Sequence, residues 1–219
     1  LFAVVIYFWS DVKLAFFGTG ELLRGQVTSR GGFLALCLIV ATVPVVIAGG
    51  LLKLSGLDEA LRSTAVIGWT MLGVGLVLYW ADQTGAETRT AEQWTLKHAL
   101  IMGLWQVLAL IPGTSRSGIT ITGARRLGYS REAGARLAML MSIPTIAMAG
   151  LLLAVDVIGE ADMQAARDGA IAALFAFLSA LAALALMFRL LKSVSFTPYV
   201  VYRVVLGIVL LVLAYGYGW

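Results

Sequence analysis

Apolar runs of near-membrane length, broken by short polar stretches, dominate this chain. Phe33–Leu52, Thr64–Trp80, Leu137–Val157, Ala170–Leu191 and Tyr199–Tyr217 each read as one span, since crossing a bilayer takes about 20 mostly apolar residues in a helix. Pro44 and Pro144 fall inside two of these runs, which neighbouring helices can accommodate. Trp69, Tyr79 and Trp80 stand near the ends of a third, where aromatic belts sit. Leu1–Trp9 is half a span; no charged leader region opens it and no cleavage site follows, so it is expected to be the remainder of a first, truncated span. The polar stretches Ser10–Gly32, Lys53–Ser63, Asp82–Lys97, 124–136 and Gly159–Asp168 are expected to be connections.

One region breaks the pattern. Ala99–Ile111 and Ile119–Leu127 are apolar arms, each too short to span. Pro-Gly separates them, so residues 99–127 read as a helix, a loop and a helix that enter the membrane and turn back. The expected fold is therefore an all-α integral membrane protein, a single polytopic domain over residues 1–219 with about six transmembrane helices and one re-entrant pair.

Composition agrees. Of 219 residues, 60% are hydrophobic and 13% charged, with mean hydropathy +0.93; a soluble domain carries about a quarter charged residues. The net charge of +4 does not point to nucleic acid, because the basic residues are scattered over short loops. It reports orientation instead. With a re-entrant pair, one side owns loops 10–32, 82–98, 124–136 and 189–198, which hold eleven of the sixteen Lys and Arg, as the positive-inside rule requires. Making 99–127 a full span would scramble that asymmetry. Cys37 lies in an apolar run and His98 is the single histidine, which leaves no clustered His/Cys metal site. Gly49, Gly50, Gly73 and Gly75, and the alanines of the fifth full run, suggest close helix contacts.

Candidate chemistry concentrates between Gln106 and Thr122. Arg116 stands among Gly113, Thr114, Ser115, Ser117 and Gly118, and an arginine at that depth costs roughly 2.5–3.5 kcal/mol on insertion scales. An anionic ligand is the simplest compensation. The Gly-x4-Gly spacing is not a P-loop, because Ile119 stands in place of the lysine and no strand precedes it. A helix opening near Ser117 would present unpaired N–H groups and a positive dipole end to phosphate or carboxylate. Arg116 would add a planar fork of donors, and Ser115, Ser117 and Thr120 hydroxyls. The same residues also fit a plainer picture, in which the serines cap a broken helix and Arg116 reaches a headgroup. Arg203, inside the last run, fits either a basic side chain extending to the interface past Tyr199 and Tyr202 or a second phosphate contact.

Gln106–Thr122, above all Pro-Gly-Thr-Ser-Arg-Ser-Gly, resembles the second signature of the undecaprenyl pyrophosphate phosphatase (bacitracin-resistance) family. Arg136–Pro144 and Ser195–Arg203 extend the resemblance in order along the chain. It implies a multi-pass enzyme of the bacterial inner membrane, built from two inverted repeats. The enzyme would take the terminal phosphate from a polyprenyl pyrophosphate, recycling the lipid carrier of the cell wall. It implies Arg116, Ser115 and Thr120 as catalytic residues, with Ser117 and Gln106 binding substrate; the loop's own pattern adds Gly113, Thr114 and Gly118, and the last run adds Arg203, as substrate-binding candidates. It also implies a divalent cation, Mg²⁺ or Ca²⁺, held by substrate phosphates and by carboxylates of a first, glutamate-rich signature that would precede residue 1. Gln106 and Leu110 occupy the equivalent positions of the second repeat and cannot replace a carboxylate.

Partners expected on this footing are the lipid substrate, membrane lipids and a second copy in a homodimer, with no nucleic acid. Two other functions stay open: a polyprenyl-phosphate transporter or flippase without hydrolysis, since re-entrant helix ends aimed at an anion also build transporters, and a non-catalytic scaffold.

Overall fold

A computed structural model describes the backbone of residues 1–157 and 163–217. Its helices are α1 Phe2–Tyr7, α2 Trp9–Leu23, α3 Arg30–Ser55, α4 Leu57–Ala60, α5 Thr64–Thr84, α6 Leu96–Val107, α7 Arg116–Arg126, α8 Arg131–Val157, α9 Met163–Leu190 and α10 Thr197–Tyr217. Among the described residues five helices are long and apolar enough to cross a membrane: Arg30–Ser55, Thr64–Thr84, Arg131–Leu151, Gly169–Leu190 and Thr197–Gly216. They overlap the five full runs read from the sequence, but the third begins at Arg131, so residues 131–136 of the expected basic connection are already helix. The acidic loop expected over 159–168 begins in residues outside the description, and from Met163 onward it is already α9 rather than a connection.

Local chemistry sets the helix starts. Ser29, Ser63 and Thr95 cap α3, α5 and α6 by accepting from the N–H three residues on, which satisfies one of the donors that a helix start leaves open. Gly56 ends α3 in the left-handed conformation at φ 67°.

The stretch Ser10–Gly32 corrects the expectation of a loop. Most of it is α2, joined to α1 through a break at Phe8. Polar side chains made it look like a connection, but Asp11 is buried because Arg136 of α8 grips it, with Nη2 2.6 Å from Oδ1 and Nε 2.9 Å from Oδ2. Ser29 also donates to the Glu21 carboxylate. Gly18 and Gly31 bring the α2 and α3 backbones into contact, where a methyl group would collide with main chain.

Two packing expectations also change. Nothing lies within 4 Å of a methyl group built on Gly50 or Gly73. The close approach of α5 and α10 is made instead by Gly68, whose added Cβ would stand 2.8 Å from Leu211 Cγ, and by Gly207. The alanine-rich α9 is the least covered of the five spans, with 11% of its apolar window buried.

The re-entrant pair is visible in its contacts. Thr88 and Arg89, ahead of α6, both donate backbone N–H to Gly128 O beyond α7, at 3.1 and 3.0 Å. Tyr129 Oη reaches His98 Nδ1 at 2.7 Å and donates to Gln93 O at 3.2 Å. The chain thus leaves beside the point where it entered. The tip of the loop meets α5 at Ile67 and Thr70, whereas the far end of α7 meets α5 at Asp82. The separation of twelve positions from Thr70 to Asp82 places the tip about 18 Å along the α5 axis.

Candidate active site

The loop between the two arms is a tight turn followed by an abrupt helix start. Thr114 N donates to Ile111 O at 3.2 Å across Pro112 and Gly113, with Gly113 at φ +84°; proline then a positive-φ glycine is the type II pattern. A side chain at Gly113 would meet Ile67 O at 2.7 Å and also Thr70 Oγ1. Ser115 follows at φ 64°, the left-handed region that costs a non-glycine residue of order 1–3 kcal/mol and clusters at functional sites. Its Oγ caps α7 by accepting from Gly118 N at 3.3 Å, so the capping role read from the residues is present alongside any other.

Irregular backbone inside a membrane protein needs partners for its carbonyls. Here three in succession are satisfied by side chains of the spans. Thr70 Oγ1 donates to Pro112 O at 2.6 Å. Arg203 Nη2 donates to Gly113 O at 2.6 Å and to Thr114 O at 3.0 Å. Arg203 is 4% exposed, so its head is held by the loop and does not extend past Tyr199 and Tyr202 to the interface. The N–H groups of Arg116 and Ser117, by contrast, donate to no described residue, which leaves the first turn of α7 open to an anion.

Charge reinforces this. Arg116 is half-buried and its Nη1 donates to Ser142 O of α8 at 3.2 Å. Among the described residues neither Arg116 nor Arg203 has a carboxylate within ion-pair distance. A buried guanidinium without a counter-charge is costly, and two beside one loop favour an anionic ligand.

The structure gathers Gly113, Thr114, Ser115, Arg116, Ser117, Gly118 and Arg203 at this loop, and it sends two other candidates elsewhere. Thr120 Oγ1 is fully buried and donates back along α7 to Arg116 O at 2.8 Å and Ser117 O at 3.1 Å. Gln106, also fully buried, donates from Nε2 to Thr145 Oγ1 at 3.2 Å, while its Oε1 has no partner. One participant escaped the sequence reading. Tyr199 Oη lies 2.9 Å from Ser115 Oγ and receives Arg203 Nη1 at 3.4 Å, with the guanidinium 5.7 Å from the ring centroid. The four-residue spacing of Tyr199 and Arg203 on one helix face was the available signal.

Beside the loop lies a cavity of about 340 Å³, lined at one end by Ser117, Gly118 and Tyr199 and elsewhere by residues such as Leu78, Ile121 and Met187. Leu186 and Leu190 on its wall are 57% and 46% exposed, so it opens on the apolar flank of the molecule. A polar end and a long apolar body suit an amphiphile whose headgroup sits at the loop.

Comparison with known proteins agrees with this chemistry. Residues 1–209 match the family described as bacitracin resistance protein BacA. A protein of Roseobacter denitrificans named undecaprenyl-diphosphatase is 72% identical over 99% of this chain and 81% of its own length. Proteins of the same name from Dinoroseobacter shibae and Maricaulis maris are 65% and 43% identical, over 99% and 97% of this chain and 81% and 80% of theirs. With the re-entrant loop, its uncompensated arginines and this match along nearly the whole sequence, the chain belongs to the bacitracin resistance protein BacA family.

Proposed function

We propose that the protein hydrolyses undecaprenyl diphosphate to undecaprenyl phosphate and inorganic phosphate, recycling the lipid carrier of peptidoglycan synthesis in the bacterial cell membrane and giving bacitracin resistance. The observation that carries this reading is the pair of guanidinium groups without carboxylate partners at a loop whose helix start still has N–H donors to give. Two features support it further: the names of the relatives and the apolar cavity that reaches the loop.

The terminal phosphate docks against the first turn of α7, receiving the N–H groups of Arg116 and Ser117 and the Ser115 and Ser117 hydroxyls. Arg116 supplies a fork able to take two oxygens. As water adds to phosphorus and the anhydride P–O bond breaks, negative charge spreads onto the leaving phosphate. Fixed donors in a site shielded from water stabilise that charge, usually the largest contribution in phosphoryl transfer. The prenyl chain lies in the cavity.

The loop's own donors are hydroxyls, carbonyls and guanidinium groups, and no three of His, Cys, Asp or Glu stand together among the described residues. That set does not fit a divalent cation, which takes oxygen ligands rich in carboxylate. Mg²⁺ or Ca²⁺ would instead arrive on the substrate's phosphates, whose charge it would offset.

Phosphate release from undecaprenyl diphosphate by the purified protein in detergent, with Mg²⁺ or Ca²⁺, tests the reading. Arg116→Ala is expected to lower turnover about 10²–10³-fold, the usual loss for one oxyanion donor. Equal rates in the two proteins would sink it. The depth of the loop along α5 favours one alternative, a carrier that moves polyprenyl phosphate without hydrolysis. Transfer across a liposome membrane with no phosphate released would establish that instead.

A further inference from the structure

Two groups remain once the phosphate-holding donors are assigned, the buried Arg203 and the exposed Tyr199, and they stand in line behind Ser115. Arginine has donors only, so in the contact between Arg203 Nη1 and Tyr199 Oη the tyrosine oxygen accepts. Tyr199 keeps its own proton, and Ser115 Oγ, 2.9 Å away, is within reach to accept it. Ser115 Oγ already accepts from Gly118 N. A hydroxyl has two acceptor positions and one proton, so with Tyr199 as the donor both acceptor positions are filled and the proton is left over. Its nearest described neighbour is Ser117 Oγ at 3.5 Å, at the open first turn of α7. The same Arg203 holds the carbonyls of Gly113 and Thr114, the two residues that precede Ser115 with its φ of 64°.

We propose that Tyr199 and Arg203 are positioning residues that turn Ser115 into a hydrogen-bond donor aimed at the diphosphate, with Arg203 donating to Tyr199 and Tyr199 to Ser115. The proposal rests on the phosphatase reading for its substrate class. It also gives Ser115 a definite role. With Tyr199 and Gly118 N donating to its oxygen, Ser115 turns its proton to the substrate and binds the phosphate through it.

The test is a double-mutant cycle with Tyr199→Phe and Ser115→Ala, because the phenylalanine keeps the ring and the cavity wall and removes only the hydroxyl. Two readouts run together. One is kcat/KM for undecaprenyl diphosphate. The other is binding of a methylene-bridged farnesyl diphosphonate, which has no anhydride to hydrolyse. Tyr199→Phe is expected to lower both about tenfold, the usual scale for a hydrogen bond to a charged group. The double variant is expected to be no worse than Ser115→Ala alone. A purely structural tyrosine would give independent, multiplying losses, and that result, or a Tyr199→Phe protein equal to the parent in both readouts, overturns the proposal. Coupling in diphosphonate binding without any phosphate release would sink the phosphatase reading and leave the positioning role standing. Phosphate release without coupling would do the reverse.

Discussion

Arg125 and Asp82, each 1% exposed at the side chain, meet at the root of the re-entrant pair with Nε 3.3 Å from Oδ1. The approach is close enough for charge attraction without hydrogen-bond alignment at Nε; the guanidinium spends its other donors on Asp82 O at 2.9 Å, Gly85 O at 3.0 Å and Tyr129 O at 2.7 Å. Asp82 also takes Arg131 Nε at 2.8 Å and the N–H of Phe196 at 3.2 Å. One carboxylate therefore ties the ends of α5 and α7, the start of α8 and the turn before α10.

Removing that carboxylate strands a buried guanidinium. Asp82→Ala is expected to cost about 3–5 kcal/mol, the range for breaking one side of a buried pair. Glu87, half-exposed and paired with the same arginines at 3.4 and 3.0 Å, should cost less than about 1 kcal/mol when replaced by Ala. Unfolding of the detergent-solubilised variants measures both. Equal losses would show that Asp82 is not the keystone.

Gly113→Ala combines positive φ with a collision against α5 main chain. The loop must move, and Ser115 moves with it. Activity is expected to fall at least about tenfold while stability drops by roughly 1–3 kcal/mol. A variant with parental kcat/KM would show that the tight turn does not set the geometry of Ser115.

Acid should loosen the root of the pair through His98. Arg89 Nη1 donates to His98 Nε2 at 2.9 Å, while Nδ1 faces Tyr129 Oη at 2.7 Å, an arrangement that suits the neutral ring with its proton on Nδ1. Burial first, then the charges of Arg89 and Lys97, lower the pKa of His98 below 6.5. Burial pushes the Tyr129 hydroxyl up to about 12, so it keeps its proton. Since the folded protein binds this proton less readily than the unfolded chain, the His98 contribution to stability is present above pH 6.5 and is lost as pH falls below it. Thermal unfolding at pH 7.5 and 5.5 should show a drop in midpoint that His98→Gln flattens; a midpoint that does not respond to the substitution would contradict it.

Filling the cavity should discriminate by chain length. Ala183→Phe places a ring among Leu186, Met187 and Ile121. The expected result is a rise of roughly tenfold in KM for undecaprenyl diphosphate with a smaller rise for farnesyl diphosphate. Parallel rises for both substrates would place the prenyl chain elsewhere.

The spans and the re-entrant break were legible in the sequence because apolar length and charge asymmetry are local signals. The loop motif was legible because an arginine among apolar residues calls for a partner. What stayed hidden was decided by residues far apart in sequence. Asp11 looked like loop polarity until Arg136, 125 positions away, turned α2 into a packed helix. Arg125 and Arg131 looked like basic residues of a connection until Asp82 reached them. Tyr199 looked like an interface aromatic because its partner, Ser115, lies 84 residues earlier. Thr120 sits in the motif, yet helix geometry turns its hydroxyl back onto its own backbone.

The opening of the cavity on the apolar flank bears on how this protein is to be assayed. A substrate that arrives sideways never passes through bulk water, so its encounter rate follows its mole fraction among the surrounding amphiphiles, not its molarity in the tube. Adding detergent at constant substrate would slow the reaction as surely as removing substrate, and a Michaelis constant quoted in molar units would describe the micelle as much as the protein.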